Sequence, residues 1–313
     1  MIKFHLGEAP NDISVCCSIM HTVHDHPHLV RDGVEIGSFF GSPPVIWNGG
    51  RMMLGKYDAK KAKAEIARYN EMGIPYRFTW TNPLIEEEHL DDYDCNDLLD
   101  FADNGLNECI VNSPVLEEYI RKTHPNIKLT SSTCKCIRDI DEVKAELAKP
   151  YSLVVLDYNF NNDYESLEEL TPEERKRCEI LSNPACRPGC TRRKEHYRWI
   201  GEQQLHYREY MERYNRMTPE EQMKNRISEW ECADRNVFLF GEKEYPLHVK
   251  PDDLYNKYVP MGFENFKLEG RASNAILIAE QVTRYMAKPE SADEFRYRVN
   301  VGSSMNQHLN YGG

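Results

Sequence analysis

The sequence contains no apolar run near the about 18 residues that a membrane-spanning helix requires, so no membrane span or membrane partner is expected. It also lacks low-complexity tracts, Gly/Ser linkers and close internal repeats, and nothing marks a boundary between domains. No G-x-G-x-x-G turn follows a strand-like segment, which argues against the usual dinucleotide site. Neither G-x-S-x-G nor H-E-x-x-H occurs, so a hydrolase reading has no nucleophile elbow and no zinc-protease helix to rest on. Positive charge is in deficit: 39 Lys and Arg face 51 Asp and Glu, a formal net charge of -12. That balance gives no general attraction for nucleic acid and no DNA partner is evident, although a local basic surface stays open. Met1–Leu6 lacks the apolar core of a secretory leader, and the cytoplasm is the expected location.

What is present describes a globular chain. Hydrophobic residues make up 40% and charged residues 29%, ample for a buried core. The 10 cysteines are many for a chain without an export signal, and in a reducing compartment they are expected as buried thiols or metal ligands rather than disulfides.

Short β-type runs alternate with helix-type segments. Strands are expected at Ile13–Met20, Val45–Trp47, Tyr76–Trp80, Cys109–Val111, Ile127–Thr130, Leu153–Leu156, Cys178–Leu181, Pro246–Val249 and Asn265–Leu268. Helices are expected at Asp58–Met72 (Gly73 closing it), Asp92–Phe101, Val115–Arg121, Asp141–Ala148 and Asn274–Met286, the last with Ser273 as N-cap. The alternation predicts parallel βαβ units closed into one (β/α)8-type TIM barrel over residues 1–313, of the α/β class. Thr191–Glu231, dense in Arg, Glu and Tyr, reads as a helical insertion near 191–231. Its mixed charges favour solvated helices with i,i+4 ion pairs over a nucleic-acid surface.

In such a barrel the chemistry sits where the strands end and the βα loops converge. Polar residues leave the expected strands there: Asn82, Asn112, Ser131, Asp157, Asn159, Asn183, Glu269 and Arg271. Amides, hydroxyls and an acid–base pair at one mouth suit a polar small ligand, with Asp157, Glu269 and Arg271 as candidate catalytic groups. The plainer account of many such residues is helix capping and turn formation.

The densest cluster is Asn183-Pro-Ala-Cys186-Arg-Pro-Gly-Cys190-Thr-Arg-Arg193-Lys-Glu-His196-Tyr197, directly after one expected strand. Cys186 and Cys190 flank a Pro-Gly bend and can point at one metal or cluster, as soft thiolate ligands of iron–sulfur or zinc. Cys232 at the end of the insertion is the expected third ligand, with Cys134 or Cys136 as the best-located fourth. Arg193, His196 and Tyr197 join the substrate-binding candidates. His21, His24, His26 and His28 form a competing cluster, expected on a loop after the first strand at the same mouth. Their alternate spacing on a loop fixes no ligand geometry, so a solvated or substrate-lining role is favoured.

Met261-Gly-Phe-Glu-Asn-Phe-Lys-Leu-Glu-Gly-Arg271 resembles the G-I-D-x-F-K-I-E-G-R stretch of the collagenase-like (U32) peptidases, a barrel family. Pro251-Asp-Asp-Leu254 is similar to the segment that precedes it, and Asn183–Tyr197 to the cysteine loop of some members. The likeness covers roughly the last 160 residues; the first half matches only in rhythm. It implies a 4Fe–4S cluster held by Cys186, Cys190 and Cys232, with zinc as the alternative. It further implies oxygen-independent hydroxylation of RNA or a small polar aromatic substrate, with an electron donor or paired protein as partner. A metal-dependent peptidase or hydrolase, or a non-catalytic metal-binding partner protein, are the other readings. Tyr255 stands where many members carry a further cysteine, which leaves the fourth ligand open.

Overall fold

The computed structural model describes residues 1–9, 13–53, 55–225, 230–232, 246–270 and 275–310, the side chains of 306–310 excepted. Eight parallel strands close into a barrel in chain order. They are β1 (Ile2–Gly7), β2 (Val34–Gly41), β3 (Tyr76–Trp80), β4 (Glu108–Val111), β5 (Lys128–Ser131), β6 (Leu153–Val155), β7 (Cys178–Leu181) and β8 (Asn265–Leu268). Pairing of β1 with both β2 and β8 completes the ring. The helices around it begin with α1 (Ile13–Asp25), α2 (Ala59–Glu71), α3 (Tyr93–Ala102), α4 (Pro114–Thr123) and α5 (Ile140–Leu147). The short α6 (Tyr164–Glu168) and α7 (Pro172–Lys176) follow. Between β7 and β8 lies the expected helical insertion, as α8 (Arg193–Leu205), α9 (Tyr207–Tyr214) and α10 (Pro219–Lys224). One-turn α11 (Pro251–Asp253) and α12 (Val259–Met261) precede β8, and α13 (Ala275–Met286) and α14 (Ala292–Asn310) complete the chain. No described helix is long and apolar enough to cross a membrane.

Local chemistry explains the helix starts. The side chains of Asp58, Asp92, Ser113 and Asp139 accept backbone N–H groups at the first turns of α2, α3, α4 and α5. Gly73 ends α2 with φ +72°, a conformation that costs other residues a steric penalty.

Three expected strands are corrected. Ile13–Met20 lies in α1, whose residues are buried almost all round because α14 covers them; Ser18 donates to the Val299 carbonyl at 2.7 Å. Val45–Trp47 is a turn and Pro246–Val249 an irregular segment. The true first strands are β1 and β2. Consequently His21 and His24 ride the last turn of α1, at the opposite end of the barrel from the mouth, with His26 and His28 beside it. His21 and His24 face Asp25, and His26 meets Arg298, so they form no mouth cluster.

The barrel interior is charged. Outward residues such as Phe78, Ile180, Phe266 and Leu268 join the apolar layer beneath the helices. The alternate positions carry Arg77, Thr130, Glu179, Asn265 and Lys267, all buried. Arg77 on β3 reaches across the lumen to Glu179 on β7, and also donates to Thr130 Oγ1 at 2.9 Å. Glu179 further faces Lys267 Nζ at 3.5 Å and His5 Nε2 at 3.6 Å. Burial pushes the Glu179 carboxyl up, but the Arg77 and Lys267 charges and the Arg77 hydrogen bond outweigh it and hold it at about 2. Desolvation pushes the His5 imidazole down to about 3, so it is neutral. A neutral ring donating from Nε2 to Asn265 Oδ1 and accepting the Ser38 hydroxyl at Nδ1 satisfies both contacts.

Both shifts make the fold acid-sensitive. The unfolded chain protonates His5 below its ordinary 6.5 and Glu179 below 4.5, whereas the folded chain resists until about 3 and about 2. Their stabilisation is complete above pH 6.5 and falls as pH drops through these windows, at up to about 1.4 kcal/mol per pH unit per group. Urea unfolding from pH 7.5 to 4.5 should show this decline, and His5→Asn should flatten its upper part. An unchanged slope in the variant contradicts the assignment.

Candidate active site at the barrel mouth

The insertion is bound over the mouth by its first helix. Gln204 of α8 is fully buried; its Oε1 accepts from Asn48 Nδ2 at 3.1 Å and from the Met53 amide at 3.0 Å, while Nε2 donates to the Met53 carbonyl. Gly201 lies so close to the β3 exit loop that a Cβ there would stand 2.4 Å from Asn82 Oδ1. Asn82 Nδ2 donates to the Gly201 carbonyl and to that of Ile46. Farther along, Arg208 binds Asp92 and Asp94.

The cysteine loop leaves β7 beneath this helix. Asn183 accepts the Glu269 amide at 2.6 Å and donates to its carbonyl at 2.9 Å, joining the ends of β7 and β8. The Glu269 carboxylate accepts the Ala185 amide at 3.1 Å and pairs with Arg51. Asn159 Oδ1 accepts the Gly189 amide at 2.8 Å, and Arg138 donates to the Cys190 carbonyl. Burial pushes the Cys186 thiol up, the Tyr158 hydroxyl opposes this, and the neighbouring Cys190 adds to it. Cys232 arrives on the short segment Trp230–Cys232. Trp230 stacks on His196 at 5.1 Å, and the Arg192 guanidinium covers the indole at 4.6 Å and donates to the Glu231 carbonyl.

Together these elements enclose a cavity of about 200 Å³. Cys134, Cys186 and Cys232 line it, with Tyr158 and Tyr197 as aromatic wall and Lys267 and Phe40 deeper in the barrel. Arg193 is nearly inaccessible: it pairs with Asp157, donates to Cys136 Sγ at 3.2 Å and lies 4.1 Å over the Tyr158 ring. Burial, with Arg51 and Arg192 nearby, pushes His196 down to about 4, leaving a neutral imidazole on the wall.

Thiols on three sides of one cavity are the donors a soft centre uses. Among the described residues, however, no three His, Cys, Asp or Glu side chains are already gathered at a single ion-binding point. The donor types suit a soft thiolate-held centre, whereas their present spacing does not assemble one.

The residues expected from sequence divide into two groups. Arg193, His196, Tyr197, Cys186, Cys232 and Glu269 line the cavity. The amides and hydroxyls turn inward on the protein instead: Asn82 and Asn183 as above, Asn112 onto the Thr81 carbonyl, and Ser131 onto Glu146 at 2.5 Å. Asn159 donates to Asp157 at 2.6 Å and holds the cysteine loop. Asp157 itself caps the turn after β6 and neutralises Arg193, a positioning arrangement rather than an open proton-exchange group. Arg271 lies outside the described residues. Cys178 is buried in the helix-facing layer, and Cys16 and Cys17 are on α1, so none reaches the mouth. Tyr255 donates to the Tyr285 carbonyl and stacks with Arg31, well inside helical packing. Sequence reasoning missed Arg51, Tyr158 and Lys267. For Lys267 a signal existed, a charge at the inward position of an alternating Asn-Phe-Lys-Leu strand.

Two variants examine these supports. Gly201→Ala forces α8 away from Asn82 and should cost about 1–3 kcal/mol in urea unfolding; an unperturbed midpoint means that α8 is not held there. Asn159→Ala releases the Gly189 amide and should raise iodoacetamide labelling of Cys186 and Cys190 roughly 2–10-fold, the equivalent of one hydrogen bond. Equal labelling rates would show that Asn159 does not restrain the loop.

No family model matches the chain, and no curated protein matches it. Among solved structures it is similar to one described as a U32 peptidase, with 12% identity and a TM-score of 0.49, over 88% of this chain and 95% of that chain.

Proposed function

We propose that the protein is an enzyme that modifies a small polar aromatic molecule at the barrel mouth, using a thiolate-held iron–sulfur centre. The observation that carries this reading is the sharing of one cavity by Cys134, Cys186 and Cys232, with Cys190 on the same loop as Cys186. The resemblance of the cysteine loop and of Phe266–Arg271 to U32 proteins adds oxygen-independent hydroxylation as the expected reaction class. Cys186, Cys190 and Cys232 would hold the centre, which supplies electron transfer and Lewis acidity when bound.

The chain's own groups bind and orient. Tyr158 and Tyr197 offer ring faces to a planar ligand. The Arg51–Glu269 pair presents both a donor fork and an acceptor at the rim. Arg193, locked by Asp157, holds Tyr158 and the Cys136 thiol in place. His196 stays neutral near pH 7 and offers ring nitrogens to a polar substituent. The cavity volume admits one ring and its substituents, so a macromolecular substrate could enter only by inserting a single base.

Purification without oxygen, followed by iron, sulfide and zinc determination beside a Cys186→Ala/Cys190→Ala variant, tests the reading. About four irons with matching sulfide per chain, lost in the variant, is the expected result. Stoichiometric zinc lost in the same way would replace the redox assignment with a hydrolytic or structural one. A folded, metal-free wild-type protein would refute it.

A further inference from the structure

Away from the mouth, α13 borders a second concavity, a groove of about 450 Å³. Glu280, Arg284 and Ala287 line it from α13, Ala292 and Arg296 from the start of α14, and Arg31 from the turn before β2. Among the described residues none lines both this groove and the mouth cavity.

The charged side chains of the groove differ in how they are matched. Arg296 donates from Nε and Nη2 to the two carboxylate oxygens of Glu280, at 2.6 and 2.9 Å, and from Nη1 to Asp293 at 2.7 Å. Glu280, the carboxylate among the lining residues, is thereby engaged. Arg31 has nothing equivalent. It is partly buried, and its guanidinium lies 4.5 Å from the centre of the Tyr255 ring. Its Nε is closed to solvent and has no hydrogen-bond partner among the described residues, and no carboxylate among them pairs with it. An arginine carries five donors in a planar fork, and a partly buried one is ordinarily matched by an oxyanion.

The side chain is nonetheless held in place. The Arg31 amide donates to the Met286 carbonyl at 2.9 Å, beside an antiparallel bridge between Val30 and Ala287. Tyr255 in turn donates its hydroxyl to the Tyr285 carbonyl at 2.7 Å. A cation–π contact of this kind fixes a guanidinium through a ring face and gives it no hydrogen-bond acceptor. Backbone and ring thus set the fork at the groove wall, and the acceptor is what the described residues do not supply.

We propose that this groove binds a small molecule bearing a carboxylate or phosphate group, and that the Arg31 fork receives the oxyanion. The groove is larger than a bare oxyanion, and Ile276, Pro289 and Ala292 add apolar wall, so the ligand carries a short organic body. The proposal is independent of the mouth cavity and of any metal there. Gln281 lines the groove and accepts from Asn183 at 3.4 Å, so the site adjoins the amide that joins β7 to β8.

Calorimetric titration of the intact protein with butyrate, with ethyl phosphate and with neutral butyramide provides the test. Saturable binding of butyrate or ethyl phosphate, weakened about tenfold in Arg31→Gln, is expected. Arg31→Lys should fall between the two, since it keeps the charge and loses the fork. The anion that binds more tightly assigns the head group of the ligand. No saturable binding by either anion below about 10 mM, or equal affinity in Arg31→Gln, overturns the proposal. Butyramide binding as tightly as butyrate overturns it as well, because the fork would then play no part. If Arg31→Gln does not fold, nitrogen-15 labelling of the arginines supplies the readout, with the Arg31 Nε–H signal assigned from Arg31→Lys. That signal must move with butyrate or ethyl phosphate and not with butyramide; a signal unmoved by both anions overturns the proposal.

Discussion

The ion pair between Arg77 and Glu179 spans the lumen of the barrel, and much of the interior is arranged around it. Two fully buried charges in a barrel of short strands need near-complete compensation, because an uncompensated one costs several kcal/mol. Thr130, Lys267 and a neutral His5 supply it from β5, β8 and β1. Such a network adds little stability over an apolar filling of the same volume. What it does impose is register. A one-residue slip of β7 or β8 would turn Glu179 or Lys267 into the apolar helix-facing layer, where nothing could pair with it.

That constraint passes upward to the mouth. β8 carries Lys267 deep in the cavity and leads directly into Glu269 at its rim, and Glu269 in turn holds Arg51 and the Ala185 amide. Asn183 joins β7 to β8 at the same level. The thiol loop, the rim cation and the floor ammonium are thus mounted on adjacent strands whose register the lumen charges set. Preorganisation of this sort lets a small cavity position a ligand without a large ordering cost.

The later strands were legible in the sequence because turn residues bound short apolar or alternating runs; Tyr76–Trp80, Cys178–Leu181 and Asn265–Leu268 read correctly to the residue. The first quarter was not. α1 is covered on nearly every side, so Ile-Ser-Val-Cys-Cys-Ser-Ile-Met shows no polar stripe, and a short continuous apolar run does not distinguish strand from helix. Ile-Lys-Phe-His-Leu does alternate, but while Lys3 stays exposed beside Glu35, His5 points into a charged lumen instead of solvent, the reverse of the usual meaning of that pattern. At the site, the cysteine loop was legible from Pro and Gly between two thiols. The roles of Asn82, Asn112, Ser131 and Asn183 were not, since an amide that fastens two loops and one that binds a ligand have the same local sequence.

The distribution of polar groups at the mouth follows from this division of labour. Loops that converge on a barrel end bring backbone donors and acceptors into a partly dry space, and each must be satisfied. Asn82, Asn161 and Asn183 do so with side-chain amides, Asn161 by donating to the carbonyls of Leu181 and Leu247. Short uncharged amides are thereby committed to architecture, and longer side chains reach past them to line the cavity. Arg51, Arg193, Tyr197 and Lys267 are of that kind, and each is held from behind by a carboxylate or an aromatic neighbour. The lining of this mouth is therefore decided less by which polar residues end the strands than by which long side chains the amide-fastened loops leave facing the cavity.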